Sequence, residues 1–131
     1  MKHAYNFTAG ILGFIFIVFG LNFFLKFIAI PQPPEGSPAA MFMGGMFLGG
    51  FLAFVKILEI LGGICVAIPQ TRNLGLLILG PIIVNIAAFN VFFFGPLALL
   101  QPPVLLVCAL ALVQVFAARH AFVKFITNKK S

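Results

Sequence analysis

Acidic residues are almost missing from this chain of 131 residues. It has two, Glu35 and Glu59, against eight lysines and arginines. Charged residues of either sign make up 8% of the sequence and hydrophobic residues 63%. A soluble domain of this size needs far more charged surface, so lipid is the expected solvent for most of the chain. Tryptophan is absent and Tyr5 is the sole tyrosine, so the usual aromatic belt is thin, and 18 phenylalanines supply bulk instead. Alternating apolar and polar positions are lacking too, which excludes a membrane β-barrel. The two cysteines, Cys65 and Cys108, form no CxxC and no metal-ligand spacing, and they read as small buried hydrophobes. The net charge of +6 does not point to nucleic acid, because no basic helix interleaved with aromatics is present. Basic groups beside membrane helices set orientation and touch anionic lipid.

What remains is a set of four apolar stretches, each long enough for the roughly 20 residues that a spanning helix needs. The expected fold is an all-α integral membrane protein, an antiparallel four-transmembrane-helix bundle in one domain covering 1–131. Its helices are expected at about 9–30, 39–68, 74–94 and 104–125. Asn6 or Thr8 is a candidate cap for the first helix. That first run ends FLKFIAIPQPP, with no small-x-small cleavage site, and is expected to be a retained helix. The prolines of PQPPEGSP and the PQTRN turn separate the next elements, and Pro81 is expected to kink the third helix. Lys2, Arg72, Arg119, Lys124, Lys129 and Lys130 fall on one side of this arrangement, and Lys26 with Glu35 on the other. The positive-inside rule then puts both termini in the cytoplasm.

KILEILGG, residues 56–63, sets two charges inside an apolar run. Lys56 and Glu59 are three apart, share a helix face and can pair. An isolated charge at the bilayer centre costs several kcal/mol, so the pair is expected to face the bundle interior. At about 1.5 Å per residue, Asn22, Lys56, Glu59, Asn85 and Gln114 all fall roughly 14–20 Å in from one face. They are expected to converge near mid-depth. Gly45 and Gly49 form a GxxxG spacing suited to close helix approach. Three roles stay open for the polar cluster: fixing helix register, binding a small polar or amphipathic ligand, or proton and electron chemistry. Arg72 is either a topology anchor or a contact for an anion or lipid headgroup at a cytoplasmic mouth.

The run KILEILGGICVAIPQTRNLGLLILGPIIVNIAAFN resembles the DoxX family of small bacterial membrane proteins. The family's glutamate, paired glycines, turn arginine and third-helix glycine correspond here to Glu59, Gly62, Gly63, Arg72 and Gly75. Lys56 precedes the glutamate, and FGLNFFLKF resembles the first-helix pattern at Gly20 and Asn22. GPIIVNIAAFN ends in Asn90 where a subgroup more often has histidine, so no proton carrier or metal ligand is expected there. The resemblance implies a four-helix fold in the bacterial cytoplasmic (inner) membrane. It also implies a link to quinone-dependent oxidation or membrane redox protection. The chain shows no haem pair and no flavin motif, so electron transfer would need a diffusible quinone or a redox partner subunit. The candidate ligand-binding residues are Asn22, Lys56, Glu59, Arg72, Asn85 and Gln114, with no catalytic residue and no metal ligand. The leading expectation is an accessory or subunit protein that binds a lipid-soluble molecule such as a quinone. The alternatives are a small-solute or proton transporter acting as a homo-oligomer, and a structural membrane partner without a ligand.

Overall fold

The computed structural model describes residues 2–30 and 32–127, and every regular element among them is helical. Lys129 and Lys130 of the basic tail lie outside the described residues. Six α-helices follow in order: α1 Lys2–Leu25, α2 Pro38–Leu48, α3 Phe51–Ala67, α4 Arg72–Phe94, α5 Pro102–Ala117 and α6 Arg119–Thr127. Short 3-10 turns at Pro69–Thr71 and Pro96–Leu100 lead into α4 and follow it.

Two of the predicted helices are each a bent pair. The stretch 39–68 breaks at Gly49-Gly50, where α2 meets α3 at 82°. Gly50 has φ +77, a left-handed conformation open to glycine at little cost, so the two glycines turn the chain while each N–H still reaches a carbonyl of α2. The stretch 104–125 breaks at Ala118, with 70° between α5 and α6. Arg119 donates to the Phe116 carbonyl at 2.7 Å and stacks 4.1 Å over the Phe116 ring, satisfying an orphan carbonyl at the end of α5.

α1 also departs from its predicted bounds. It starts before Asn6 and Thr8, so neither caps it. Thr8 instead donates back to the Ala4 carbonyl at 3.0 Å. It stops at Leu25 rather than Ile30 because the Asn22 side chain competes for the backbone. The Asn22 amide donates to the Ile28 carbonyl at 3.1 Å and accepts from the Ile28 N–H at 2.7 Å. Lys26, between them, takes φ 55 and donates to the Asn22 carbonyl at 2.7 Å. α4 continues through Pro81 without a break.

α3 and α5 each pack on both α1 and α4. The α1–α3 register is antiparallel: Gly13 lies against Gly63 and Ala67, and Gly20 against Lys56 and Ile60. The α3–α4 register is antiparallel as well, with Gly62 against Leu79 and Gly75 against Val66. A Cβ on Gly13 would stand 2.5 Å from the Gly63 carbonyl oxygen, and one on Gly75 2.5 Å from the Val66 nitrogen. Small residues thus let the backbones touch, the mode of helix association that needs no solvent-driven collapse. The predicted GxxxG pair does not do this. A Cβ on Gly45 meets nothing within 4 Å, so no other helix is drawn close at that point; α2 packs instead through Phe42 on Phe89 and Phe93 of α4.

The interior is narrow, built on Leu12, Phe16, Val66, Leu79, Ile83 and Leu110. Large apolar side chains cover the outside, among them Phe14, Phe92 and Leu112. Soluble monomers rarely expose contiguous apolar surface on that scale. His3–Leu25 and Pro69–Phe94 are each long and apolar enough to cross a membrane, and the number rises to four if each bent pair is one span. The fold is all-α and consistent with a helical membrane bundle. Both cysteines are free thiols.

Two outcomes follow from this packing. Gly75→Ala should destabilise the protein by about 1–3 kcal/mol through overpacking. Gly80→Ala, in the same helix with open space at its Cβ, should be neutral or stabilising by up to ~1 kcal/mol. Thermal unfolding of both variants in one detergent checks the contrast; equal shifts would contradict the close α3–α4 contact. Lys26→Gly should raise the unfolding midpoint, because a left-handed non-glycine residue carries about 1 kcal/mol of strain, and the same assay reads it.

Candidate functional site: a cavity at Lys56 and Glu59

The buried stripe of α3 runs through Leu52, Glu59, Gly63 and Val66, so Glu59 is fixed to the inner face by helical spacing. Gly20 of α1 lets α1 approach the backbone at Lys56, which brings Phe16 and Phe19 beside the pair. Lys56 Nζ lies 3.4 Å from Glu59 Oε1 and 3.4 Å from Oε2. This is the sole ion pair among the described residues. Charge-assisted N–H···O bonds typically close to about 2.7–2.9 Å, so the ammonium is shared by both oxygens without being drawn tight onto either.

The pair lines a cavity of about 470 Å³. Ile15, Phe16 and Phe19 of α1 form one wall, Ile86 of α4 the back, and the first turns of α5 from Pro102 to Val107 the other wall. Pro102 and Pro103 have no N–H, so this wall presents a helix start with few orphan donors. The two charged side chains are unequally covered: the Glu59 side chain is 6% exposed and the Lys56 side chain 23%. The carboxylate is therefore shielded and acts as counter-charge. The ammonium, with three donors, belongs to the less covered of the two side chains that line the cavity.

The other predicted site residues do not join this cavity. Asn22 is buried, but both ends of its amide hold the turn after α1. Asn85 is exposed and donates to the Pro81 carbonyl at 2.7 Å on its own helix. The buried face of α4 carries Leu76, Leu79 and Ile83, and Asn85 lies two residues on, about 200° around the helix. Depth alone cannot set that angle. Gln114 is buried near the opposite end of the bundle, where it donates to the Tyr5 carbonyl at 2.9 Å and to Thr8 Oγ1 at 2.6 Å. The break at Ala118 explains the misplacement, since the helix ends three residues after Gln114 rather than at Lys124. Arg72 is at that same end, bonded to the Val66 carbonyl and to Asn6 Oδ1, both at 2.8 Å. Arg72 and Gln114 line a second cavity of about 500 Å³ with Tyr5 and Asn6. The predicted convergence at mid-depth is thus replaced by one charged pair with an apolar cavity and one polar cluster at the far end.

The residues that shape the first cavity, Phe16, Phe19, Ile86 and the Pro102-Pro103 pair, carry no signal in the sequence. They are apolar side chains in apolar runs. Only the double proline marks a stiff helix start, and spacing does not say that it stands beside Lys56. No family model, curated protein or solved structure matches this chain.

Proposed function

We propose that the chain is a DoxX-like membrane protein of four spans that holds a lipid-soluble molecule, such as a quinone, in the Lys56–Glu59 cavity. The observation that carries this reading is an otherwise apolar cavity lined by a partly exposed lysine and its shielded carboxylate partner. The volume suits a ring-sized head group, since ligand pockets run from about 300 to 1,000 Å³. The ion pair is neutral as a whole, which favours an uncharged oxygen acceptor over an anion. Lys56 donates to that oxygen and Glu59 compensates the ammonium. Phe16, Phe19 and the proline wall hold the ring, while an apolar tail leaves between helices into lipid. Redox chemistry belongs to the ligand or to a partner subunit, and this chain supplies binding and orientation.

In this reading α1, α3, α4 and α5 cross the membrane of a bacterial cell in alternating directions. α3 and α5 measure about 25 Å each at 1.5 Å per residue, so the bent segments α2 and α6 continue along the two faces. Arg72, Arg119 and Lys124 then lie on the cytoplasmic side with both termini. In a background with Cys65→Ala and Cys108→Ala, Gln32→Cys should label with an impermeant maleimide from outside the cell. Gln70→Cys should label only after lysis, and the reverse pattern would sink the orientation.

Native mass spectrometry of gently extracted protein, with quinone and lipid identification, tests the ligand. Wild type should retain the lipid-soluble molecule. The Lys56→Met, Glu59→Leu double variant should fold and lose it. Glu59→Leu alone should lose about 3 kcal/mol of stability and be less stable than the double variant, because it leaves a buried ammonium without its counter-charge. A double variant that keeps both fold and physiological activity, from a wild type that carries no ligand, would make the pair structural.

A further inference from the structure

Among the described residues Arg72 meets no carboxylate. The chain has two acidic side chains: Glu59 is engaged by Lys56, and Glu35 follows the opposite end of α1 from the one that reaches Arg72. Both partners of the guanidinium among the described residues, the Val66 carbonyl and Asn6 Oδ1, are neutral. They take Nε and one terminal nitrogen and so fix the guanidinium plane; among the described residues no acidic group balances the charge and the second terminal nitrogen has no partner. The guanidinium lines the cavity of about 500 Å³, beside Tyr5, Asn6, Asn73 and Gln114, with no acidic residue in its wall. Tyr5, Asn6 and Asn73 side chains carry O–H or amide N–H donors suited to an anion. Ala117, Ala118 and Ala121 close the other side, where α5 bends into α6, and their small side chains leave the volume open. Arg119 and Lys124 on α6 add positive charge at the same end of the bundle.

We propose that this second cavity binds a phosphate-bearing anion, with the Arg72 guanidinium as its principal contact. A planar, pre-oriented guanidinium matches phosphate oxygens better than an ammonium does. The cavity lies at the end of the long apolar helices, where a phospholipid headgroup and a free phosphate compound both have access. The site is independent of the Lys56–Glu59 cavity, which takes an uncharged oxygen acceptor at the other end of the bundle.

The test uses the full chain in a non-ionic detergent. Retention of phosphatidylglycerol and of phosphatidylcholine is read by native mass spectrometry, and binding of inorganic phosphate by calorimetry. Wild type should retain phosphatidylglycerol preferentially if the anion is a headgroup, or bind inorganic phosphate if it is a free compound. Whichever applies should fall roughly tenfold or more in Arg72→Gln, the loss expected for a charge-assisted contact. Arg72 also ties α4 to α1 and α3, so Arg72→Gln lowers folded yield. Ala121→Phe serves as the second variant: it fills the cavity from α6 and leaves the Arg72 bonds in place. It should give the same loss at an unchanged unfolding temperature. Equal retention of both lipids with no phosphate binding would overturn the proposal. So would an anion preference that survives Ala121→Phe in folded protein, since the exposed Arg119 and Lys124 of α6 would then account for it.

Discussion

At Gly13 and Gly63 the backbones of α1 and α3 lie so close that a single Cβ would collide with a carbonyl, and at Gly75 and Val66 α3 and α4 do the same. In an apolar solvent no hydrophobic force holds helices together, so association rests on close packing and on hydrogen bonds. α3 is therefore clamped on two sides by glycines. Its one buried charge cannot turn outward, because Glu59 lies on the same stripe as Gly63. The position of the ion pair, and of the cavity beside it, is a consequence of where the backbones touch.

Polar groups elsewhere obey the same economy of partners. Asn22 ends α1 and shapes the following turn; Gln114 ties α5 to the first turns of α1; Arg72 ties α4 to α1 and α3. The last two are cross-element contacts in a chain that has few such groups. No buried side-chain nitrogen or oxygen among the described residues lacks a partner, as burial in a medium without water requires. Lys56 and Arg72 are the cationic side chains that line the two cavities. Lys56 has an acidic partner and Arg72 has none among the described residues, so the two cavities differ in charge.

The bends at Gly49-Gly50 and Ala118 decide how polar positions translate into depth. A helix that turns by 82° or 70° stops advancing along the bundle axis, so residues counted from its far end are misplaced. Gln114 moved from the expected middle to one end for that reason. The glycine pair was visible in the sequence, yet a continuous apolar run through it reads as one helix. Hydropathy reports what the solvent is and not which way the axis points.

Composition, with 63% hydrophobic and 8% charged residues, determined that this chain is suited to lipid, and the lack of alternating apolar and polar positions left the helix rather than the closed barrel to satisfy its backbone. The helical spacing of Lys56 and Glu59 determined that they would pair, since positions three apart share a face whatever the fold. The tertiary structure alone decided which apolar residues stand around that pair. It also turned Asn85 outward and brought Arg72 to Asn6 across 66 positions of sequence. Rotation about a helix axis and the direction of a chain after a glycine bend are set by packing against other elements, and a linear pattern of apolar residues carries no record of either.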